Sequence, residues 1–184
     1  MIALPICGGG FITNLGSASS TGFDLAIQYK PNAHFLLGGA VGYTDAKLTQ
    51  SVEVSDNIFL SRDGGTVGGA GAPWSANINA EYHRPVSSNY EGFVRLDGRY
   101  QSRWRTPDST VYGYDPDIPA LPSQKQINAK LGVRFDSVEV SLFANNLTNA
   151  HSLLALNHDA AGSPVFYGIT QTPRVIGVTG SYRY

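Results

Sequence analysis

The sequence predicts an all-β chain folded as an antiparallel up-and-down meander of seven or eight strands. Three observations carry this. Apolar and polar residues alternate with a period of two in one segment after another, which is strand geometry because successive side chains leave opposite faces. No segment sustains a helical period. The connections alternate strictly, short then long, as in a meander whose short turns gather at one end and long loops at the other.

The first element, over residues 1–13, is a strand stub, a candidate eighth strand. The first full strand sets Phe23, Leu25, Ile27 and Tyr29 against Asp24, Ala26, Gln28 and Lys30. A tight turn at Pro31-Asn32-Ala33 leads into Phe35, Leu37, Gly39, Val41 and Tyr43, which alternate with the small Gly38, Ala40 and Gly42. A long connection over roughly 49–73 follows. Its stretch GGTVGGAGAP (64–73) lacks the Lys-Ser/Thr of a phosphate loop and reads as a flexible loop.

Trp74, Ala76, Ile78, Ala80 and Tyr82 then alternate with Ser75, Asn77, Asn79, Glu81 and His83. The turn from Pro85 to Asn89 is short. Beyond it, Tyr90, Gly92, Val94, Leu96, Gly98 and Tyr100 face away from Glu91, Phe93, Arg95, Asp97, Arg99 and Gln101. A second long connection spans 105–124. Ile127, Ala129, Leu131, Val133 and Phe135 form the next apolar row, and the turn Asp136-Ser137 joins it to Val138, Val140, Leu142 and Ala144. A third long connection, 149–171, precedes the ending TPRVIGVTGSYRY. There Ile176, Val178, Gly180, Tyr182 and Tyr184 take every second position.

Composition narrows the function. Charged residues are 15% of the chain, well below the quarter or so usual in soluble domains, and the net charge of -1 leaves no basic footprint for nucleic acid. At 184 residues the chain is one domain or part of a larger one. Cys7 is alone, so neither an internal disulfide nor a cysteine zinc site can form. The opening MIALPICGGG has no basic residue and a very short apolar stretch, so it is not a recognisable signal peptide, and Pro5-Ile6 suits a lipoprotein site at Cys7 poorly. His34, His83, His151 and His158 lack metal-ligand spacing. The sequence therefore predicts no catalytic constellation, no metal and no cofactor. Asn146-Leu147-Thr148 matches a glycosylation sequon, but these asparagines read as groups that satisfy backbone where strand becomes loop.

What lies against the apolar face decides the class. Apolar rows begin and end on aromatics: Trp74 with Tyr82, Phe35 with Tyr43, Tyr90 with Tyr100. Eight residues of strand cover about 26 Å, or about 20 Å along the normal at a tilt of ~40°, close to the apolar band and aromatic girdles of a transmembrane β-barrel. Short periplasmic and long extracellular connections fit the same class. The opposite face carries Asp24, Lys30, Glu81, Arg95, Asp97, Arg99, Arg134 and Arg183, which suits a polar lumen. The alternation also suits a soluble barrel or sandwich with its apolar face inside.

The ligand-binding candidates are Trp104, Tyr112 and Tyr114 with Asp115 and Asp117, in the loop RWRTPDSTVYGYDPDIPALP. Aromatics with a few polar groups suit a sugar or an aryl-iron chelate. The alternative puts Trp104 and Tyr112 in the interfacial girdle. Arg95 and Arg99 share a face with Asp97; they either guide a ligand or serve in charge neutralisation.

Four stretches, NLGSASSTGFDLAIQYKP, FLLGGAVGYTDAKLT, VEVSLFANNLTNA and TPRVIGVTGSYRY, resemble in that order the C-terminal barrel strands of TonB-dependent outer-membrane receptors. FANNLTN and the terminal R-x-x-G-x-x-x-x-Y-R-Y form are the most specific pair. The resemblance covers about Asn14 to Tyr184. It implies an outer-membrane location and uptake of siderophore-bound iron, cobalamin or carbohydrate-type nutrients, not an enzymatic activity. It also implies a barrel of about 22 strands with a plug and a TonB-pairing box. On this reading, residues 1–184 are a C-terminal barrel segment that meets TonB only through an N-terminal part. The charged face would then also meet a plug. Its partners are outer-membrane lipid, through a girdle including Trp74 and Tyr82, and the barrel-assembly machinery, through Tyr182 and Tyr184. A small stand-alone outer-membrane barrel, closed by the stub against the terminal strand, is the structural alternative.

Overall fold

A computed structural model describes residues 16–67, 71–105, 108–112, 114–159 and 162–184, with backbone alone at 2–3, 10–11 and 158. The strands are β1 (Ile2–Ala3), β2 (Gly10–Phe11), β3 (Ala18–Tyr29), β4 (Phe35–Leu48), β5 (Val52–Ser55), β6 (Ile58–Ser61) and β7 (Trp74–Ser87). They continue with β8 (Tyr90–Gln101), β9 (Gln124–Phe135), β10 (Val138–Asn145), β11 (Leu153–His158), β12 (Phe166–Thr170) and β13 (Val175–Tyr182). Seven of them form one antiparallel sheet in the order β13-β10-β9-β8-β7-β4-β3. Every neighbour in the sheet is next along the meander, so the all-β up-and-down prediction holds.

The register sorts the two faces. Phe23 opposes Tyr43, Tyr43 opposes Trp74, Ile78 opposes Gly98, and Val94 opposes Leu131, which opposes Leu142 and then Val178. Residues directly opposite share a face, so all the apolar rows fall on one side. Glu81, Arg95, Lys130 and Arg134 fall on the other through the pairs Glu81–Arg95, Arg95–Lys130 and Arg134–Glu139. Tyr29, Tyr43, Tyr82, Tyr100 and Tyr182 therefore leave the face opposite Asp24, Glu81, Arg95, Arg99 and Arg183.

The apolar face is the uncovered one. Ile78 is 68% exposed and Val178 71%, whereas Phe93, on the polar face, is 2% exposed. A soluble sandwich would bury the first pair beneath a second layer; among the described residues no layer covers them. Their aromatics form two bands. Phe23, Tyr43 and Trp74 cluster near the long loops, with Tyr43 and Trp74 centroids 4.7 Å apart. Phe35 with Tyr82 (4.7 Å) and Tyr90 with Phe135 (5.5 Å) lie at the short turns.

Details depart from the sequence reading. β7 runs through Pro85 to Ser87, with a register shift between them. A proline lacks the ladder N–H and is accommodated at such irregularities. The long connections carry hairpins of their own, β5–β6 and β11–β12. The Gly-rich segment is not wholly free: Leu48 N donates to Gly65 O and Val67 N to Ala46 O, so residues 65–67 extend the sheet beside β4. Residues 68–70 lie outside the described residues.

The sheet is open. Among the described residues β3 and β13 each have one partner strand. The stub does not close it, because β1 pairs with β2, Ile2 opposite Phe11. The rest of residues 1–13 lies outside the described residues.

Candidate functional site

Two regions of the polar face gather the groups able to meet a solute. The first lies toward the short turns. Arg134 on β9 reaches three carboxylates: Nε donates to Glu139 Oε2 at 3.0 Å, Nη2 to Glu81 Oε1 at 3.2 Å and Nη1 to Glu91 Oε1 at 3.2 Å. Lys130 Nζ donates to Glu139 Oε1 at 2.6 Å. Antiparallel pairing explains the convergence, since Arg134 is directly opposite both Glu91 and Glu139. Phe93 is the platform: the Arg134 guanidinium carbon stands 4.0 Å from its ring centre and Lys130 Nζ 5.6 Å. Gly132, opposite Phe93, makes room for the ring, because a Cβ there would come within 2.7 Å of Phe93 Cε1 and of Ser141 Cβ.

Arg95 turns along its own strand, with Nε 3.0 Å from Asp97 Oδ2 and Nη2 2.9 Å from Oδ1. These groups line a cavity of 400 Å3 that also admits Asn145 and Arg183. Three carboxylates (Glu81, Asp97, Glu139) meet four cations (Arg95, Lys130, Arg134, Arg183) around it. The arrangement is largely self-neutralised, as a lumen wall requires, and offers no nucleophile with a base. Among the described residues no group of histidine, cysteine and carboxylates could hold a metal ion.

The second region lies at the long-loop end. Arg99, Gln101, Gln124 and Gln126 meet Gln171 and Thr172 around a cavity of 280 Å3. Gln171 is buried and its Oε1 has no hydrogen-bond partner among the described residues. Of these residues the sequence alone marks Arg99 as a candidate and not the glutamines. Their signal was present in part: Gln124 and Gln126 take the polar positions of an alternating strand. Gln171 follows β12 and is brought in by the β11–β12 hairpin, its N–H donating to Ser152 O, which no local pattern announces.

The structure separates the predicted ligand residues. Arg95 and Arg99 line different cavities, four residues or about 13 Å apart along β8. Trp104 follows β8, its N–H donating to Leu121 O at 3.0 Å. Tyr112 sits in a loop layer, its N–H on Phe59 O of β6, and is 57% exposed. That is not the strand-end position of Tyr43 or Trp74. Tyr114 N donates to Val111 O, and the Asp115 carboxylate accepts from Asp117 N at 2.9 Å. Neither cavity is lined by Trp104, Tyr112, Tyr114 or Asp115.

The loop layer is clasped by Arg62, whose Nη1 donates to Thr110 Oγ1 at 2.8 Å and lies 3.9 Å from Asp108 Oδ2. Hydrogen bonds from Thr110 N and Oγ1, with Arg62 nearby, hold the Asp108 carboxyl below the usual carboxylate range.

At the strand-to-loop junction, Asn146 is 1% exposed. Its Nδ2 donates to Ala150 O and Thr172 O, its Oδ1 accepts from Ala150 N, and its own N–H reaches Asn128 Oδ1. The asparagine-rich segment does satisfy backbone groups, tying β10 to the approach of β13.

No helix among the described residues is long and apolar enough to cross a membrane. A family model described as TonB dependent receptor-like, beta-barrel, matches residues 3–147. No curated protein and no solved structure matches the chain.

Proposed function

This chain belongs to the TonB-dependent receptor β-barrel family, an outer-membrane receptor family rather than an enzyme family, and from that premise we propose that its seven-stranded sheet is a section of a receptor's lipid-spanning wall. The uncovered apolar face meets lipid and the charged face lines the lumen. The observation that carries this is the register, which sends every apolar row to one exposed face between two aromatic bands. An unpaired strand edge in hydrocarbon costs several kcal/mol per backbone group, so β3 and β13 call for further barrel strands. Residues 1–184 then act as one barrel segment, and TonB and a plug act through other parts of the receptor.

The cargo is a nutrient of the siderophore-iron, cobalamin or carbohydrate type. The long-loop cavity, with Arg99 and its glutamines, supports a solute rich in hydroxyl or carbonyl groups, because amides supply both donors and acceptors. Trp104, Tyr112, Tyr114 and Asp115 are proposed as outer contacts in the loop layer. Arg95 belongs to the wall's neutralised cluster and guides the solute onward. The terminal Tyr182 and Tyr184 serve as an address for the barrel-assembly machinery.

Replacing Arg99 and Gln171 together with alanine in the receptor carrying this chain tests the lumen reading. Outer-membrane yield should stay at the parent level while TonB-dependent growth on the transported nutrient falls about tenfold or more, the equivalent of one or two polar contacts. Unchanged uptake would contradict it.

A further inference from the structure

We propose that the apolar face holds a phospholipid site at its short-turn end, with an anionic phosphate on Arg84 and one acyl chain in the adjoining groove. The site rests on the lipid-facing reading of that face. Cross-strand pairing places Arg84 opposite Gly92, Gly92 opposite Val133, Val133 opposite Val140, and Val140 opposite Gly180. This row crosses five strands. On its turn side stand Tyr90, Phe135 and Tyr182; on its other side stand Val94, Leu131 and Leu142. Short side chains between two taller rows leave a groove. The groove is open along the face, has a volume of 630 Å3 and is lined by Arg84, Val86, Gly92, Val133 and Val140 with the taller Leu142 among its walls. That volume lies within the range of about 300–1,000 Å3 typical of small-molecule sites.

The aromatic line fixes the depth of each end. On β7 the ring is Tyr82, and Arg84 lies two residues nearer the turn. On β8 the ring is Tyr90, and Gly92 lies two residues farther from the turn. Arg84 therefore stands outside the girdle, at headgroup depth, while Gly92, Val133 and Val140 of the same row stand inside it, at hydrocarbon depth. Arg84 is exposed and has no ion pair among the described residues. A guanidinium at the interface matches a phosphate with two parallel hydrogen bonds, and the groove running inward from it matches the chain attached to that phosphate.

The receptor carrying this chain, reconstituted in nanodiscs, would be irradiated with phosphatidylglycerol bearing a diazirine in its acyl chain, and labelled residues read by peptide mass spectrometry. Labelling at Val133 and Val140 should exceed that at Ile78, on the same face, by about fivefold, a modest affinity difference. Arg84→Gln and Val140→Phe should each lower it to the Ile78 level without changing the barrel's heat-dependent gel shift. Equal labelling of Val140 and Ile78 in the parent, or full labelling in Arg84→Gln, would overturn the site while leaving the lipid-facing reading intact. Labelling of Asn79 in place of Ile78 would overturn that reading itself.

Discussion

The Arg134 guanidinium carbon lies 4.0 Å from the centre of the Phe93 ring, on the polar face of the sheet. Among the described residues Phe93 is the one fully buried hydrophobic side chain, and it sits among charges. It supports a cation that three carboxylates also hold.

Phe93→Ala should lower barrel stability by about 3 kcal/mol, from the lost ring burial and the lost cation–π contact. Gly132→Leu should cost about 1–3 kcal/mol by overpacking, since even a Cβ there meets the ring at 2.7 Å. Gly180→Ala should be close to neutral, because a Cβ there meets nothing within 4 Å. Urea or heat titration of the folded-barrel gel band measures all three. Equal stability of the Gly132 and Gly180 variants would remove Phe93 from its role as platform.

Asn146→Ala should destabilise the barrel by about 2–4 kcal/mol, because it leaves the Ala150 and Thr172 backbone groups without their partner in a buried setting. The adjacent Asn145 is exposed, and Asn145→Ala should cost no more than about 0.5 kcal/mol. The same titration compares them, and similar losses for both would show that the junction does not depend on the Asn146 side chain.

Much of this fold was legible in the sequence, because alternation and turn spacing report strand and face directly. Ile78 and Asn79 declare opposite sides by position alone, whatever their neighbours are. Contacts that depend on register were not legible. Arg134 meets Glu81 across 53 positions of chain, and only the pairing of β7 with β8 and β8 with β9 brings them together. The hairpin β5–β6 had a readable signal in Asp56-Asn57, where Asn57 adopts a φ of 65° between short apolar runs. Its interruptions in register blur the alternation. The glutamine cavity was hidden for the same reason as the charge cluster, since Gln171 joins it from a loop.

Deleting Tyr184 from the receptor should lower outer-membrane yield several-fold more than Tyr114→Ala. Tyr184 is fully exposed beyond β13, its ring 6.4 Å from that of Tyr182, and so is presented with it rather than packed into the sheet. Heat-modifiable barrel recovered from outer membranes measures the effect, and equal yields for both variants would end the assembly proposal.

In the proposed barrel wall the exposed apolar face meets lipid. Nitroxide labels placed singly from Ser75 to Tyr82 along β7 in the membrane-inserted receptor test it most directly, by collision with oxygen and with a polar nickel chelate. Ala76, Ile78 and Ala80 should favour oxygen, while Asn77, Asn79 and Glu81 favour nickel, with a clean period of two. If Ile78 were shielded from both reagents, as inside a protein core, or reached by nickel as readily as Asn79, the lipid-facing wall would be contradicted.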